Sequence, residues 1–138
     1  MSYEIIHGER AADWFFQRES SSADYFGSHS SIASVRGGEI VASTLFHMYS
    51  GKNVYMHVTT DGGKRWCTRR YLQEVFSYVF DTLGCIRCTG LVSVENKAAQ
   101  RLDEGLGFVR EGLMECAGAR GEDVIIYRMY RRDCRYVL

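Results

Sequence analysis

The sequence predicts a small domain of the mixed α/β class, in which strands and helices surround one hydrophobic core. Its 138 residues are 46% apolar and 13% aromatic, which is enough for one core and too little for two separate ones. Segments with period-two apolar alternation are interspersed with segments of helical spacing. Because proline is absent, glycines mark the predicted turns and helix ends. We therefore expect one domain spanning residues 1–138.

The N-terminal part predicts a strand, a helix and a β-hairpin, in that order. Residues 5–6 open a short strand, and apolar residues recur at helical spacing over 11–18 before a serine-rich break. An Arg-Gly-Gly turn signal at 36–38 separates two runs rich in β-branched and aromatic residues, at 31–35 and 39–49. These two runs are expected to pair as antiparallel strands.

A further strand of the same meander is predicted at Val54–Thr60. Its alternation places Tyr55, His57 and Thr59 on one face and the intervening residues on the other. A histidine in the middle of this strand is therefore expected to point to the same side as its two polar neighbours.

The second half begins with the strongest helical signal in the chain, an apolar stripe that runs from Leu72 to Leu83. Thr68 is suited to cap the start of this helix, and Gly84 is suited to end it. The remaining pattern predicts a buried strand, a helix and a hairpin. These elements are expected at 85–94, 96–106, 108–116 and 123–130.

The charge balance disfavours large polyanions and membranes as partners. The chain has 17 basic and 17 acidic residues, so it has no overall positive field that would attract nucleic acid or an anionic bilayer. Its apolar runs are too short to span a membrane, and its first residues lack the features of a signal peptide. We expect a cytoplasmic protein.

The cysteines support the same compartment. They number five and are irregularly spaced, which favours reduced thiols over a disulfide framework. Cys85 and Cys88 have the spacing of half a zinc site or of a redox motif, but no second such pair follows. We interpret them as packed thiols and predict no metal site.

A glycine-containing basic loop connects the His57 strand to the striped helix. Residues 61–70 include Lys64, Arg65, Arg69 and Arg70 just before and within the first helical turn. Free N–H groups at a helix N-terminus, together with flanking cations, can bind phosphate or pyrophosphate. A solvated loop with a helix cap explains the same residues equally well.

The segment from Asn96 to Gly112 resembles the strand–helix–strand signature of the GNAT superfamily of N-acetyltransferases. An asparagine ends a strand, small residues begin the next helix, and a Leu-Gly-Phe sequence at 106–108 is followed by Glu-Gly at 111–112. The resemblance covers residues 54–134, and the first 50 match in element order. Other residues look like the ribosomal-protein acetyltransferase-like branch: Tyr78, Val79, Phe80, Leu83, Gly84, Arg87, Asp123, Tyr127 and Met129.

The resemblance implies a central, mostly antiparallel sheet flanked by helices, whose fourth and fifth strands splay apart to hold acetyl-CoA. It implies direct transfer of an acetyl group to an amine in a ternary complex, and an edge strand that can pair two subunits as a homodimer. The backbone of Val58 and Thr59 would meet the pantetheine arm, with Asn96 on the opposite wall. The implied pyrophosphate site comprises Lys64, Arg65, Trp66, Cys67, Thr68, Arg69 and Arg70.

Two residues depart from the pattern of that family. Trp66 occupies the position of the first glycine in the phosphate loop, where a bulky side chain is expected to hinder approach to the backbone. Asp103 occupies the position of the tyrosine that protonates the departing thiolate in many members, and an ionised aspartate has no proton to donate. Both departures favour an alternative, a GNAT-fold binding module that acts through a partner protein.

His57 is the predicted general base, because it lies in mid-strand on the expected cofactor side. Packing among aromatic residues explains it equally well, and Asp61 and Glu39 are weaker candidates for the base. The remaining histidines are expected at the surface or at strand ends. The amine acceptor is not specified, and a thiol-dependent enzyme lacks a recognisable cysteine–histidine pairing.

Overall fold

Seven strands form one sheet in the computed structural model of the protein, which describes residues 2–137. The sheet order is β1-β2-β3-β4-β5-β7-β6. The strands are β1 (Tyr3–His7), β2 (His29–Arg36), β3 (Glu39–His47), β4 (Asn53–Thr60), β5 (Arg87–Ser93), β6 (Val109–Met114) and β7 (Val124–Tyr130). The α-helices are α1 (Glu9–Glu19), α2 (Ala23–Phe26), α3 (Arg69–Ser77) and α4 (Lys97–Leu106).

The N-terminal strands form the predicted antiparallel meander. Gly37 and Gly38 connect β2 to β3 with φ angles of 56° and 83°, a conformation that glycine adopts without strain. Leu45 of β3 pairs with His57 of β4, so the two side chains lie on the same face of the sheet. The predicted hairpin and the face assigned to His57 therefore agree with the register.

The only parallel pairing in the sheet as described joins β4 to β5, and it is short. Asn53 pairs with Arg87, Val54 with Cys88 and Tyr55 with Thr89, after which the two strands separate. From residue 56 to residue 60, β4 remains paired with β3 and has no partner on its other side. The predicted splay between the fourth and fifth strands is therefore confirmed.

Helices cover both faces of the sheet. Leu45 packs with Ala12 and Phe15 of α1, whereas the next residue, Phe46, belongs to the larger core on the opposite face. That larger core contains residues of α3, Leu106 of α4, and a stack of Phe76 on Tyr136 with ring centroids 5.4 Å apart. Within the described residues no helix has the length and apolarity needed to cross a bilayer.

The striped helix differs from the prediction in its last turns. It is α-helical to Ser77 and continues as a π-helical segment over Tyr78–Thr82, in which the N–H of Leu83 donates to the Tyr78 carbonyl at 2.8 Å. The wider turn rotates Tyr78 so that its hydroxyl lies 2.7 Å from that of Ser30. The serine-rich break is followed by the unpredicted one-turn helix α2.

Cys85 and Cys88 lie in and beside the start of β5 and are buried, as packed thiols would be. Burial is the largest cause that raises the pKa of each thiol above its ordinary value. Both side chains are therefore protonated near neutral pH and poorly suited to nucleophilic chemistry.

Candidate active site

A cavity of about 170 Å³ occupies the gap where β4 and β5 separate. His57 and Val58 line it from β4, Asn96 and Asp103 line it from the N-cap and body of α4, and Glu19 lines it from the end of α1. His57 lies on the α1 face of the sheet, while α4 packs on the opposite face. This gap therefore brings together residues from both faces, as only a break in a sheet allows.

His57 forms a hydrogen-bonded pair with His47, the last residue of β3. Their Nε2 atoms are 2.8 Å apart, so one nitrogen donates a proton and the other accepts it. Burial, followed by the charge of His47, lowers the pKa of His57 to about 4, and burial also lowers the pKa of His47. Both rings are therefore neutral near pH 7, and the pair can accept a proton.

His47 was expected only as a surface or strand-end residue, and its bond to His57 was not predicted. The strand register explains the bond, because the pairs Leu45–His57 and His47–Tyr55 make the two histidines diagonal neighbours on one face. Phe26 of α2 contacts both imidazoles edge-on, with centroid distances of 5.0 Å and 5.4 Å. His57 is thus packed among aromatic rings and also faces the gap, so both interpretations of it apply.

The carboxyl group of Asp103 enters the gap from α4. It lies beside Gly90 of β5, where an added Cβ would come within 3.2 Å of Oδ2. Burial, with a smaller contribution from the charge of Glu104, raises the pKa of Asp103 to about 7. The expectation of a fully ionised aspartate is therefore wrong, because near neutral pH a substantial fraction of this carboxyl holds a proton.

Asn96 caps α4, as its Oδ1 accepts the N–H of Ala99 at 3.0 Å. It also lines the gap opposite Val58, which places both predicted cofactor-binding residues on facing walls. Thr59 is buried and does not line this cavity. Asp61 and Glu39, the alternative bases, lie elsewhere: Asp61 accepts the N–H of Gly63 at 2.9 Å, and Glu39 lines a separate cavity beside α1.

The basic loop follows β4 and ends in a well-formed helix cap. The Oγ1 of Thr68 accepts the N–H of Tyr71 at 3.1 Å, so the N–H groups of Arg69 and Arg70 remain at the open helix end. Trp66 is only 5% exposed, and its indole packs edge-on against the ring of Tyr71. The expected obstruction by Trp66 is therefore wrong, because the side chain lies in the core and leaves the outer surface of the loop clear.

The exposed part of the loop is cationic. Lys64, Arg65, Arg69 and Arg70 are all exposed, as is Cys67, and Arg65 forms a 3.6 Å ion pair with Asp61. A cation not included in the prediction joins them, because Arg36 donates to the carbonyl of Arg65 at 3.0 Å. The guanidinium groups of Arg36 and Arg70 both lie against the ring of Tyr3. The hairpin turn that positions Arg36 is distant in sequence, which is why the loop pattern alone missed it.

No protein-family model and no curated protein sequence matches this chain. Solved structures do match it. Mutant forms of the spermidine/spermine N-acetyltransferase SpeG from Vibrio cholerae superimpose with a TM-score of 0.76 at 16% identity, covering 95% of this chain and 96% of that chain. The chain has the GNAT fold. A structure described as an acetyltransferase from T. thermophilus matches with a TM-score of 0.65 at 18% identity, covering 78% of this chain and 61% of that one.

Within the GNAT fold the predicted site residues form two groups. His57, Val58 and Asn96 meet in the gap between the splayed strands, with Thr59 adjacent to them. The loop residues 64–70 form a separate basic surface beyond the end of β4. Two members of the gap, His47 through its hydrogen bond and Asp103 through its burial, were absent from the predicted set.

Proposed function

We propose that the chain is a single-domain N-acetyltransferase that transfers an acetyl group from acetyl-CoA directly to an amine in a ternary complex. The observation that carries the proposal is the gap between β4 and β5. A neutral histidine pair lies on one side of it and a carboxyl group with a raised pKa lies on the other. Acid and base on opposite faces suit a reaction in which two substrates meet from opposite directions.

The residues of the gap and loop fit acetyl-CoA. In an antiparallel ladder alternate residues turn their N–H and C=O groups away from the partner, so β4 beyond Met56 offers unpaired backbone groups to an extended chain. Val58 and Thr59 belong to this stretch, and Asn96 stands across from it. The cations and helix N-terminus of the 64–70 loop suit a pyrophosphate group. Acetyl-CoA supplies an activated acetyl thioester.

His57 and His47 would act together as the base. When His57 donates its Nε2–H to His47, the lone pair on its Nδ1 is free to accept a proton. A ring with a pKa of about 4 is too weak to deprotonate an ammonium ion, so the acceptor must bind as the free amine. His57 then takes the proton that the nitrogen loses as its bond to the acetyl carbon forms.

Asp103 would act as the acid. The amine nitrogen bonds to the acetyl carbon, the carbon–sulfur bond breaks, and the sulfur takes the proton of the Asp103 carboxyl. The products are the amide and free CoA, with one proton gained by His57 and one lost by Asp103, and exchange with water restores both groups. A carboxyl with a pKa of about 7 can perform this step near neutral pH, whereas an ordinary aspartate cannot.

The alternative of a binding module loses its two supports. It depended on an obstructed phosphate loop and on a missing proton donor. Trp66 is turned into the core, and Asp103 retains a proton at the relevant position. The catalytic proposal therefore explains both departures from the family pattern, and the binding module explains neither of them better.

Acetyl-CoA is expected to raise the melting temperature of the protein. A ligand at about 100 times its dissociation constant stabilises the folded state by roughly 2.7 kcal/mol. The measurement is a thermal shift with acetyl-CoA and CoA, followed by a CoA-release assay across amine classes that includes spermidine. The absence of both a shift and CoA release, at concentrations that saturate known acetyltransferases, would overturn the proposed function.

Removal of the loop cations is expected to weaken CoA binding by roughly tenfold to a hundredfold and to reduce its salt dependence. The variant replaces Lys64, Arg65, Arg69 and Arg70 together by Ala, and calorimetry with CoA at two salt concentrations measures the effect. Exposed charges are screened by salt, so the loss is expected to be largest at low ionic strength.

A matched control removes the same charge from other parts of the surface. Lys52→Ala, Arg110→Ala, Arg120→Ala and Arg132→Ala together also delete one lysine and three arginines, all of them exposed. Equal affinities in the two quadruple variants would show that net charge, and not the loop, attracts the cofactor.

A further inference from the structure

A second, larger cavity of about 470 Å³ opens where β2 begins and β3 ends. Its walls are mainly aromatic and aliphatic and include Phe26, Phe46, Val54, Tyr78 and Leu83. The polar groups that line it are hydroxyls and imidazoles, and no Asp, Glu, Lys or Arg of the described chain does so. Its volume falls in the range of cavities that hold small organic ligands, roughly 300–1,000 Å³.

This cavity is connected to the gap through the histidine pair. His47 lines the larger cavity, His57 lines the gap, and their Nε2 atoms are 2.8 Å apart. Phe26 is part of the cavity wall and contacts both rings. A molecule in the larger cavity would therefore lie against the same pair that faces the gap.

Two local irregularities of the chain build the cavity. The one-turn helix α2 ends at Phe26, and the π-helical segment carries Tyr78, whose hydroxyl is held 2.7 Å from that of Ser30. A regular α-helix through residues 78–82 would rotate Tyr78 away from this position. Such π-helical turns occur frequently at functional sites.

We propose that this cavity binds the acceptor, and that the acceptor is a primary amine with a compact aromatic or apolar body. The proposal rests on the proposed function and specifies its substrate class. Aromatic walls gain free energy from burying apolar surface. An extended polyamine would instead have to bring its further ammonium groups into a cavity without carboxylates, at a cost in desolvation.

The same desolvation provides the form of the amine that the reaction needs. Burial in this region already lowers the pKa of His47, and it would lower the pKa of a bound amine in the same direction. An amine with a single nitrogen can lose its proton and still bind through its apolar body. A polyamine would have to lose several protons to do so.

The test compares 2-phenylethylamine with spermidine in the CoA-release assay. We expect kcat/KM to be at least about tenfold higher for 2-phenylethylamine, a difference that corresponds to 1.4 kcal/mol. Equal or faster turnover of spermidine would overturn the inference and leave the proposed function intact. If no amine releases CoA, calorimetric binding of 2-phenylethylamine to the CoA-bound protein tests the cavity by itself, and no binding there would overturn the inference as well.

A matched pair of variants at Met48 tests the location. Met48 lines the cavity, is 62% exposed and has a φ of 53°. Met48→Glu adds a carboxylate at the cavity wall, and Met48→Gln has the same shape and the same backbone constraint without the charge. We expect the kcat/KM ratio of spermidine to 2-phenylethylamine to be about threefold to tenfold higher in the Glu variant than in the Gln variant. Identical ratios would show that the amine binds elsewhere, which would overturn the proposal.

Discussion

Replacement of His57 by Ala is expected to lower kcat by about 100-fold to 10,000-fold, the range that positioned acid–base groups contribute. Affinity for acetyl-CoA should remain nearly unchanged, because backbone groups and the basic loop are proposed to hold it. Steady-state kinetics and CoA calorimetry on the same preparations measure the two quantities. Full turnover by the variant would assign the base to another group or to water.

The pH dependence makes this test sharper. The pKa of His57 is lowered to about 4, so the ring is a neutral base above that value, and its contribution to kcat should disappear as pH falls through about 4. From its sequence position alone, a loss near the ordinary histidine value of 6.5 was expected. Stability has the same direction, because a lowered pKa in the folded state means that stability decreases as pH falls from 6.5 through 4. Folding must therefore be monitored at each pH.

His47→Ala is the matched control for His57. It removes the hydrogen bond and the second cause of the lowered His57 pKa, and it leaves the larger cause, burial, in place. We expect a smaller loss of kcat than in His57→Ala and an acidic limb shifted to somewhat higher pH. If the two variants are equally impaired with unchanged folding, the pair functions as one unit and not as a base with a helper.

Asp103→Asn is expected to lower kcat on the order of 100-fold and to remove one limb of the pH profile. The pKa of Asp103 is raised to about 7, so the wild type should lose the proton donor, and with it activity, as pH rises through about 7. The amide has no such proton, and its residual rate should lack this limb. An unchanged basic limb in the variant would exclude Asp103 as its source.

Stability separates this catalytic effect from misfolding. A carboxyl whose pKa is raised in the folded state costs stability as pH rises from its ordinary 3.8 to about 7, because the folded protein then binds more protons than the unfolded chain. Asp103→Asn removes that cost, so above neutral pH its melting temperature should be no lower than that of the wild type. Glu104→Gln is the control, because it removes an adjacent charge that lies outside the gap and should leave kcat within a few fold.

Much of the fold could be predicted because its signals are local. Alternation over Val54–Thr60 and the helical stripe from Leu72 depend only on residues within one element, and the bounds of β4 and α4 agree with the structure to within a residue or two. The Thr68 cap also follows from its own sequence position. The π-helical segment could not be predicted, because its apolar spacing still reads as an α-helix and its cause lies in packing around Tyr78.

The sequence by itself determined the alternating strands and helices, the GNAT-like segment around Asn96, the cationic loop and the face of His57. Only the tertiary structure decided what those residues can do chemically. The His47–His57 bond depends on the register between two strands, and the proton on Asp103 depends on burial beside Gly90. Register and burial are set by contacts between residues far apart in the chain, and a pKa responds to that surrounding medium, which no local pattern of residues specifies.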